Sequence, residues 1–495
     1  MTQCSFHIQT FGCQMNANDS DWLRRSLLRR GFEEVPFEAA SIHILNTCSV
    51  RDKPEQKVYS ELGRIARFAK VHERDDILVC VGGCVAQQIG AKLKKRFPQV
   101  RLVFGTDGVA AAPEHIERLV AEPWRFYNLT DFTETYTERT DDWSAEEQAP
   151  ASAFVNIMQG CDNFCAYCIV PFVRGRQKSR EPEAVLKDCR TLLEAGAREI
   201  TLLGQNVNSY GLDAGKRGLS FASLMHKVAA LPGLARLRFV TPHPKDIAPE
   251  VIEAFGSLPA LCPRLHLPLQ SGSDRILAAM NRRYTVEKYL DIVESIRKVR
   301  PDMLFTTDII VGFPGETEED FAQTMQVMRE VGYASSFSFV YSDRPGAKAV
   351  LLPDKVERKV GLERLSRLQD WQNNTNISLL AAQVGTEKTV LLESASPRAP
   401  LPDNGAPIAE AVPLALQEGW VSWQGKTPEG FIVNVPLPPA GTCPHHGTAP
   451  QATGLQTGTW KGVLLPVSID AAARHSLKGS YKDSDPTFSE NAGQK

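Results

Sequence analysis

The sequence lacks the features of a membrane-embedded or exported protein. No apolar run approaches the roughly 18 residues of a membrane-spanning helix, and the longest apolar stretch, residues 77–86, contains two glycines. The first residues, 1–7, have no basic region followed by an apolar core, so we expect no signal peptide. The 11 cysteines, an odd number, are then typical of metal ligands and core thiols in a reducing compartment. We predict a cytoplasmic protein without membrane contact.

The chain also has little net charge, and two common catalytic patterns are absent from its sequence. The formal charge is only −2, so nucleic acid would have to be bound through local basic patches. No Ser–His–Asp arrangement is assembled, and no glycine-rich segment ends in the Lys-Ser/Thr of a phosphate loop. A hydrophobic fraction of 42% and a charged fraction of 23% are ordinary for a globular protein. At roughly 150 residues per domain, the 495-residue chain is expected to form about three domains.

What the sequence does contain is a cluster of three cysteines. Cys161, Cys165 and Cys168 stand at Cys-x3-Cys-x2-Cys spacing, directly after the apolar segment 154–158 and Gly160. This order predicts a loop at the C-terminal end of a strand, where α/β proteins assemble their sites. Three thiolates in one short loop suit an iron–sulfur cluster, since each sulfur binds a different iron. One iron of a four-iron cluster then remains available to another ligand. A zinc knot or a disulfide pair is the alternative.

Predicted strands and helices alternate through the first 122 residues. Strands are predicted at residues 6–10, 42–46, 77–81 and 102–104, and helices at 19–30, from 54 onward, at 91–96 and at 113–121. This alternation favours a parallel sheet with helical crossovers.

Three further cysteines follow three of these strands. Cys13, Cys48 and Cys84 each lie in a strand-to-helix loop, and a parallel sheet brings such loops to one edge. Glycines precede Cys13 and Cys84, which lets the backbone approach a bulky group. The alternative is three unrelated buried thiols. The equivalent positions of all three favour a second iron–sulfur cluster with only three protein ligands.

The middle of the chain repeats the alternation after a polar segment at 131–152. Six strands are predicted at residues 154–158, 199–203, 236–240, 264–267, 304–311 and 336–341, with helices between them. Six parallel strands with helices outside predict a partial (β/α)6 barrel. His243 stands between two prolines and is interpreted as a structural histidine.

The cysteine segments resemble a known group of enzymes. Cys161, Cys165 and Cys168, with Tyr167 before the last cysteine, are similar to the motif of radical SAM enzymes. The segments Thr-Phe-Gly-Cys-Gln-Met-Asn (10–16), Asn-Thr-Cys (46–48) and Gly-Gly-Cys-Val-Ala-Gln (82–87) resemble the N-terminal domain of the methylthiotransferases within that superfamily. The resemblance implies S-adenosylmethionine (SAM), a 4Fe–4S cluster on the first three cysteines that binds it, and an auxiliary 4Fe–4S cluster on Cys13, Cys48 and Cys84.

Polar and basic residues near the predicted barrel mouth are candidates for ligand contacts. Gln205 follows the second barrel strand and Asp308 lies within the fifth, and we predict that both contact SAM, although such residues often serve only in turns. Four cations follow the cysteine loop: Arg174, Arg176, Lys178 and Arg180. They suit an anionic substrate backbone, with a solvated loop as the alternative.

The C-terminal region predicts a small antiparallel barrel. Strands are expected at residues 386–393, 420–424, 430–435 and 459–469, an arrangement that suits single-stranded RNA and resembles in position the TRAM domain of the methylthiotransferases. Two insertions rich in Pro, Ala and Gly, 396–418 and 436–456, depart from that pattern, and the second contains Cys443, His445 and His446. The tail beyond about residue 481 is polar and predicted to be disordered.

Together these patterns predict an α/β protein with five segments. They are an N-terminal domain (3–122), a linker (123–146), a radical SAM core (147–378), a TRAM-like domain (380–480) and a tail (481–495). Residues 10–21 are most similar to one branch of this family, which converts N6-isopentenyladenosine beside the tRNA anticodon to its 2-methylthio derivative. This resemblance implies tRNA and an electron-donating reductant as partners, and we expect a monomeric chain. Sister branches act on threonylcarbamoyladenosine of tRNA or on a ribosomal-protein aspartate. A non-enzymatic iron–sulfur RNA-binding sensor is the alternative from another class.

Overall fold

The computed structural model describes residues 4–49, 54–139, 148–213, 218–396, 420–438 and 459–481. Within these residues the chain forms a parallel N-terminal sheet, two three-stranded parallel sheets in the middle and a closed C-terminal barrel. None of the helices in this part of the chain has both the length and the apolar character to cross a membrane. The predicted α/β class and its three structural regions are confirmed.

The N-terminal sheet has six parallel strands in the order β2-β1-β3-β4-β5-β6. The strands are β1 (Ser5–Thr10), β2 (Glu33–Glu34), β3 (Ile42–Thr47), β4 (Leu78–Gly83), β5 (Val100–Phe104) and β6 (Tyr127–Leu129). The helices are α1 (Gln14–Arg29), α2 (Pro54–Val71), α3 (Cys84–Ile89), α4 (Lys92–Arg96) and α5 (Ala112–Ala121). Separate apolar clusters cover the two faces of the sheet, and every residue of β3 is buried, as expected for a central parallel strand.

The central region contains the six predicted barrel strands. They are β7 (Ser152–Asn156), β10 (Glu199–Leu203), β11 (Arg236–Phe239), β12 (Arg264–His266), β13 (Leu304–Val311) and β14 (Ser335–Val340), with two short strands, β8 (Met158–Gln159) and β9 (Lys178–Ser179), beside the cysteine loop. The helices are α6 (Val170–Val173), α7 (Pro182–Glu194), α8 (Phe221–Ala229), α9 (Pro249–Ser257), α10 (Asp274–Ala279), α11 (Val286–Val299), α12 (Glu318–Val331) and α13 (Arg358–Ala381).

These six strands form two parallel sheets, β11-β10-β7 and β12-β13-β14. A single parallel bridge between Leu237 and Leu261 links β11 to the segment just before β12. The largest apolar cluster lies between the strands and their outer helices. The inner face of the barrel therefore lies outside this apolar cluster.

The C-terminal barrel has five strands in the closed order β15-β16-β17-β19-β18. They are β15 (Glu387–Ala395), β16 (Val421–Lys426), β17 (Ile432–Leu437), β18 (Leu464–Ala472) and β19 (Leu477–Tyr481). Sequence patterns predicted four of them, and β19 closes the ring through a parallel pairing with β17, whereas the other pairings are antiparallel. The predictions for most of the two insertions, for Cys443 and for the tail fall outside the described residues.

Candidate active site

The first cysteine site is a loop held in place by backbone hydrogen bonds. Cys161, Cys165 and Cys168 lie between β8 and α6, and the Cys168 amide donates to the Cys165 carbonyl at 3.0 Å. The Ala166 amide donates to the Met280 carbonyl at 2.8 Å, which anchors the loop to the end of α10. Gln205, predicted to contact SAM, accepts a hydrogen bond from the Gly160 amide at 2.5 Å. It thus supports the loop directly.

One buried cation lies beside this loop. The Arg282 guanidinium is 3.5 Å from Cys165 Sγ and 3.3 Å from the Tyr167 hydroxyl, and it donates to the Pro268 carbonyl at 3.0 Å. Only 4% of Arg282 is exposed, so its charge acts through a poorly solvated medium. Sequence patterns missed this residue because a cation in a loop is usually solvated. The position therefore provides a fixed positive charge next to the Cys165 sulfur.

Burial sets the protonation of two of the loop thiols. Burial raises the pKa of Cys161 to about 11 and that of Cys168 to about 12. Burial, with Arg282 second, lowers the pKa of the neighbouring His243 to about 2, so the imidazole is neutral; it accepts from the Lys245 amide at 3.2 Å. Its Nε2 is 3.8 Å from Cys165 Sγ. These thiols become thiolates when metal binds, since metal displaces their protons.

The donor set fits an iron–sulfur cluster better than the alternatives. Cys161, Cys165 and Cys168 form no disulfide. Among the described residues, no three His, Cys, Asp or Glu side chains are grouped so that they can hold one metal ion. A cluster does not need that grouping, because each thiolate binds its own iron.

The second cysteine site lies at the C-terminal edge of the N-terminal sheet. Cys13 caps α1, Cys48 follows β3 and Cys84 begins α3, and the strands before them, β1, β3 and β4, are neighbours. The predicted convergence at one edge is therefore present in the topology.

Local backbone geometry explains the glycine before the first of these cysteines. Gly12 has φ +118°, and a Cβ built there would lie 2.8 Å from Cys48 Sγ. Only glycine allows both this conformation and this approach.

The thiol of Cys13 differs from those of the central loop. The pKa of Cys13 is lowered to about 5, mostly by a hydrogen bond with Cys48 and against the opposing effect of burial, with smaller contributions from the Arg174 charge and the amides of Asn16 and Met15. Those amides are the unpaired donors at the start of α1. An anionic sulfur is thus stabilised at this edge.

Two asparagines lock α1 to the end of β3. Asn16 Nδ2 donates to the Thr47 carbonyl at 2.8 Å, and Asn46 Nδ2 donates to the Asn16 carbonyl at 2.9 Å. Both residues are buried, so these hydrogen bonds also remove the cost of buried amides. They hold the loops of Cys13 and Cys48 in a fixed relation.

The two cysteine sites adjoin each other. Ile169 and Val173 of the segment after Cys168 pack against Cys84 in one apolar cluster. Arg174 Nη2 donates to Asn16 Oδ1 at 2.9 Å. Burial lowers the pKa of Arg174, but the nearby Cys84, Asp19 and Cys13 outweigh burial and raise this pKa above the ordinary value. The guanidinium is therefore charged where it adjoins the second cysteine site.

The prediction that the basic segment contacts an anionic substrate is wrong for three of its four cations. Arg174, Lys178 and Arg180 are each at most 6% exposed. Their partners come from other segments: Asn16 and Asp19 for Arg174, Asp107 at 2.6 Å for Lys178, and Asp188 at 2.7 Å with Glu138 for Arg180. Arg176 alone is largely exposed, paired with Asp162 at 2.8 Å. The segment therefore joins the N-terminal and central regions, because its partners, distant in sequence, bury it.

Asp308 lies away from the backbone contacts that hold the loop. Its carboxylate is 3.4 Å from His266 Nε2, and His266 Nδ1 is 2.9 Å from Thr306 Oγ1. These side chains share the inner face of the barrel, since the alternate residues of β13 belong to the core between strands and helices. Asp308 therefore faces the space in which a ligand would lie.

Comparison with known proteins agrees with this geometry. Residues 155–328 match the model of the radical SAM superfamily, and residues 5–105 match uncharacterized protein family UPF0004. A radical S-adenosylmethionine methyltransferase, TsrM from Kitasatospora setae, has a similar fold, with a TM-score of 0.50 and 14% identity over 69% of this chain and 72% of its own. The fold and the cysteine loop thus define a radical SAM enzyme.

Relatives of known name specify the family. A tRNA-2-methylthio-N(6)-dimethylallyladenosine synthase from Oleidesulfovibrio alaskensis is 57% identical over 97% of this chain and 98% of its own length. Proteins of the same name from Nitratidesulfovibrio vulgaris (strain Hildenborough) and Lawsonia intracellularis are 58% and 50% identical, each over 96% of this chain and 97% and 98% of their own lengths. The chain belongs to this family of radical SAM methylthiotransferases. Membership implies SAM and 4Fe–4S clusters, with two clusters expected.

Proposed function

We propose that this protein catalyses the SAM-dependent methylthiolation of N6-isopentenyladenosine beside the anticodon of tRNA, giving the 2-methylthio derivative. The observation that supports this most directly is the presence of two sites of three cysteines each at adjoining edges of two sheets. Methylthiolation needs both a radical source and a sulfur source, so two neighbouring clusters match the chemistry. The names of the relatives supply the substrate.

We assign the cluster ligands residue by residue. Cys161, Cys165 and Cys168 hold the SAM-binding cluster, and Cys13, Cys48 and Cys84 hold the auxiliary cluster. When bound, these groups supply the electron that cleaves SAM and the sulfur that is transferred. The protein positions and shields them: Arg282 compensates negative charge at the first site, and Arg174 does so at the second. Gln205 and Asp308 complete the proposed SAM site.

The wider organisation of the proposal follows the predicted segments. Residues 3–122 carry the auxiliary cluster, 147–378 form the radical SAM core and 380–480 form a TRAM-like domain that binds tRNA, with 123–146 as linker and 481–495 as tail. The linker includes β6, which pairs with β5 at the edge of the N-terminal sheet. The barrel strands of the last domain are of the type that presents side chains to single-stranded RNA. A monomeric cytoplasmic enzyme supplied with electrons by a separate reductant fits this arrangement.

Nucleoside analysis of tRNA tests the substrate. In a strain that lacks the gene, we expect 2-methylthio-N6-isopentenyladenosine to disappear and N6-isopentenyladenosine to accumulate, and the wild-type gene should restore the product. A Cys13→Ala variant should not restore it. An unchanged level of the 2-methylthio nucleoside in the deletion strain, with loss of the threonylcarbamoyl counterpart instead, would move the protein to the sister branch.

A further inference from the structure

The inner face of the last barrel strand carries two exposed aromatic rings. Phe337 is 55% exposed and Phe339 is 41% exposed, although both belong to β14. Apolar side chains of the other barrel strands are mostly buried against the outer helices. Two large rings left in solvent on one strand therefore need a separate explanation.

Strand pairing shows that these rings face the ligand space. In the parallel pairing of β13 with β14, Phe337 is opposite Asp308 and Phe339 is opposite Ile310. Side chains of paired neighbours lie on the same face of a sheet. The Phe337 ring is centred 6.1 Å from that of His266, the residue that pairs with Asp308. The opposite face of β14 is covered by α13, where Gly361 packs against Val340.

The rings are close to the cysteine loop. Ile310, beside Phe339, packs in one apolar cluster with Ala166 and Tyr167 of that loop. Adjacent strands are about 4.8 Å apart, and alternate residues are about 6.6 Å apart along a strand. Phe337 therefore lies about 6.6 Å from Phe339, towards the N-terminal end of β14. Within the described residues β14 ends its sheet, so this side of the barrel has no further paired strand.

The chemistry of the strand indicates what the rings bind. The segment Ser335–Val340 contains only Ser, Phe and Val, with no cation for a phosphate. Flat aromatic rings at an open edge suit a base, whose face stacks on them. An alkyl substituent on that base adds apolar area that the second ring can cover.

We propose that Phe337 and Phe339 form a stacking platform for the N6-alkylated adenine of the RNA once this base leaves its stack. This inference rests on the proposed function and names the side chains that select its substrate. The base lies against the rings, with Asp308 level with Phe337 and the cysteine loop beside Ile310, which is level with Phe339. The platform positions the base and takes no part in bond making.

Binding of a defined RNA tests the platform. The probe is an anticodon stem-loop hairpin that contains either N6-isopentenyladenosine or adenosine at the modified position. Phe337→Leu and Phe339→Leu keep the apolar volume but remove the ring. Trp124→Leu is the matched control, since Trp124 is an aromatic side chain, 69% exposed, between α5 and β6 of the N-terminal region.

We expect each ring-deleting variant to bind the alkylated hairpin about fivefold to a hundredfold more weakly, the range of one base–aromatic stack. The preference for the alkylated over the unmodified hairpin should shrink, and KM for the hairpin should rise more than kcat falls. Trp124→Leu should change none of these. Wild-type affinity and preference in both Phe variants would overturn the platform while leaving the function intact. Failure of the wild-type enzyme to methylthiolate the hairpin would overturn the function itself.

Discussion

The buried contact of Arg174 with the N-terminal region should contribute measurably to stability. Arg174 is 4% exposed and donates to Asn16 Oδ1 at 2.9 Å, with Asp19 at 3.9 Å. Arg174→Gln removes the charge from this site. A buried hydrogen bond that involves a charged group is worth about 1.5–3 kcal/mol. Asp19 keeps its ion pair with Arg139 at 2.6 Å, so the larger cost of an orphaned buried charge does not apply. We expect a loss of about 2–3 kcal/mol.

Thermal unfolding of the metal-free protein provides the assay. In a cooperative unit of 150–250 residues, each kcal/mol shifts Tm by about 2–4 °C, so Arg174→Gln should lower the first transition by roughly 5–10 °C. Arg176→Gln is the matched control from the same segment, because the Arg176 side chain is 67% exposed and its ion pair is worth at most about 1 kcal/mol. Equal transitions for Arg174→Gln and the control would refute the role given to this contact.

Three further predictions concern single residues. In the metal-free protein, iodoacetamide should alkylate Cys13 with a half-maximal rate near pH 5, whereas Cys161 should react only near pH 11; equal reactivity at pH 7 would contradict this difference. Gly12→Ala forces a Cβ against Cys48 at φ +118°, so the iron content of the N-terminal site should fall while the SAM-binding cluster keeps its iron. Burial lowers the pKa of His43 to about 4 in the folded state, so the unfolded state binds more protons below pH 6.5 and unfolding free energy should fall by about 2 kcal/mol from pH 7 to pH 5. The His43→Gln variant should show a weaker dependence of the unfolding free energy on pH, measured by urea titration at each pH. An unchanged pH dependence would mean that other groups cause it.

The cysteine positions were predictable because topology converts sequence order into spatial proximity. Each of Cys13, Cys48 and Cys84 follows an apolar run, and parallel strands carry all such positions to one edge. The start of α1 was predicted at residue 19 but lies at Gln14, with Cys13 at the N-cap position. A thiol at that position gives no recognised capping signal in sequence.

The sequence did not predict which partners surround individual side chains. The run from Arg174 to Arg180 has the composition of a solvated loop, and the partners that bury it, such as Asp107 and Glu138, lie tens of residues away. Arg282 and the exposed face of Phe337 and Phe339 depend on long-range packing in the same way. Periodicity identifies which face of an element is apolar, but it does not identify which partner covers that face.

Iron and sulfide content with Mössbauer spectra, measured on the anaerobically reconstituted chain, tests the two-site assignment most directly. The wild-type chain should hold about eight irons as two 4Fe–4S clusters, and a chain with Cys161, Cys165 and Cys168 replaced by Ala should keep about four. Retention of the second cluster would establish that Cys13, Cys48 and Cys84 form an independent site. Loss of all iron from this variant would make those three cysteines structural and would leave the proposed sulfur transfer without a donor.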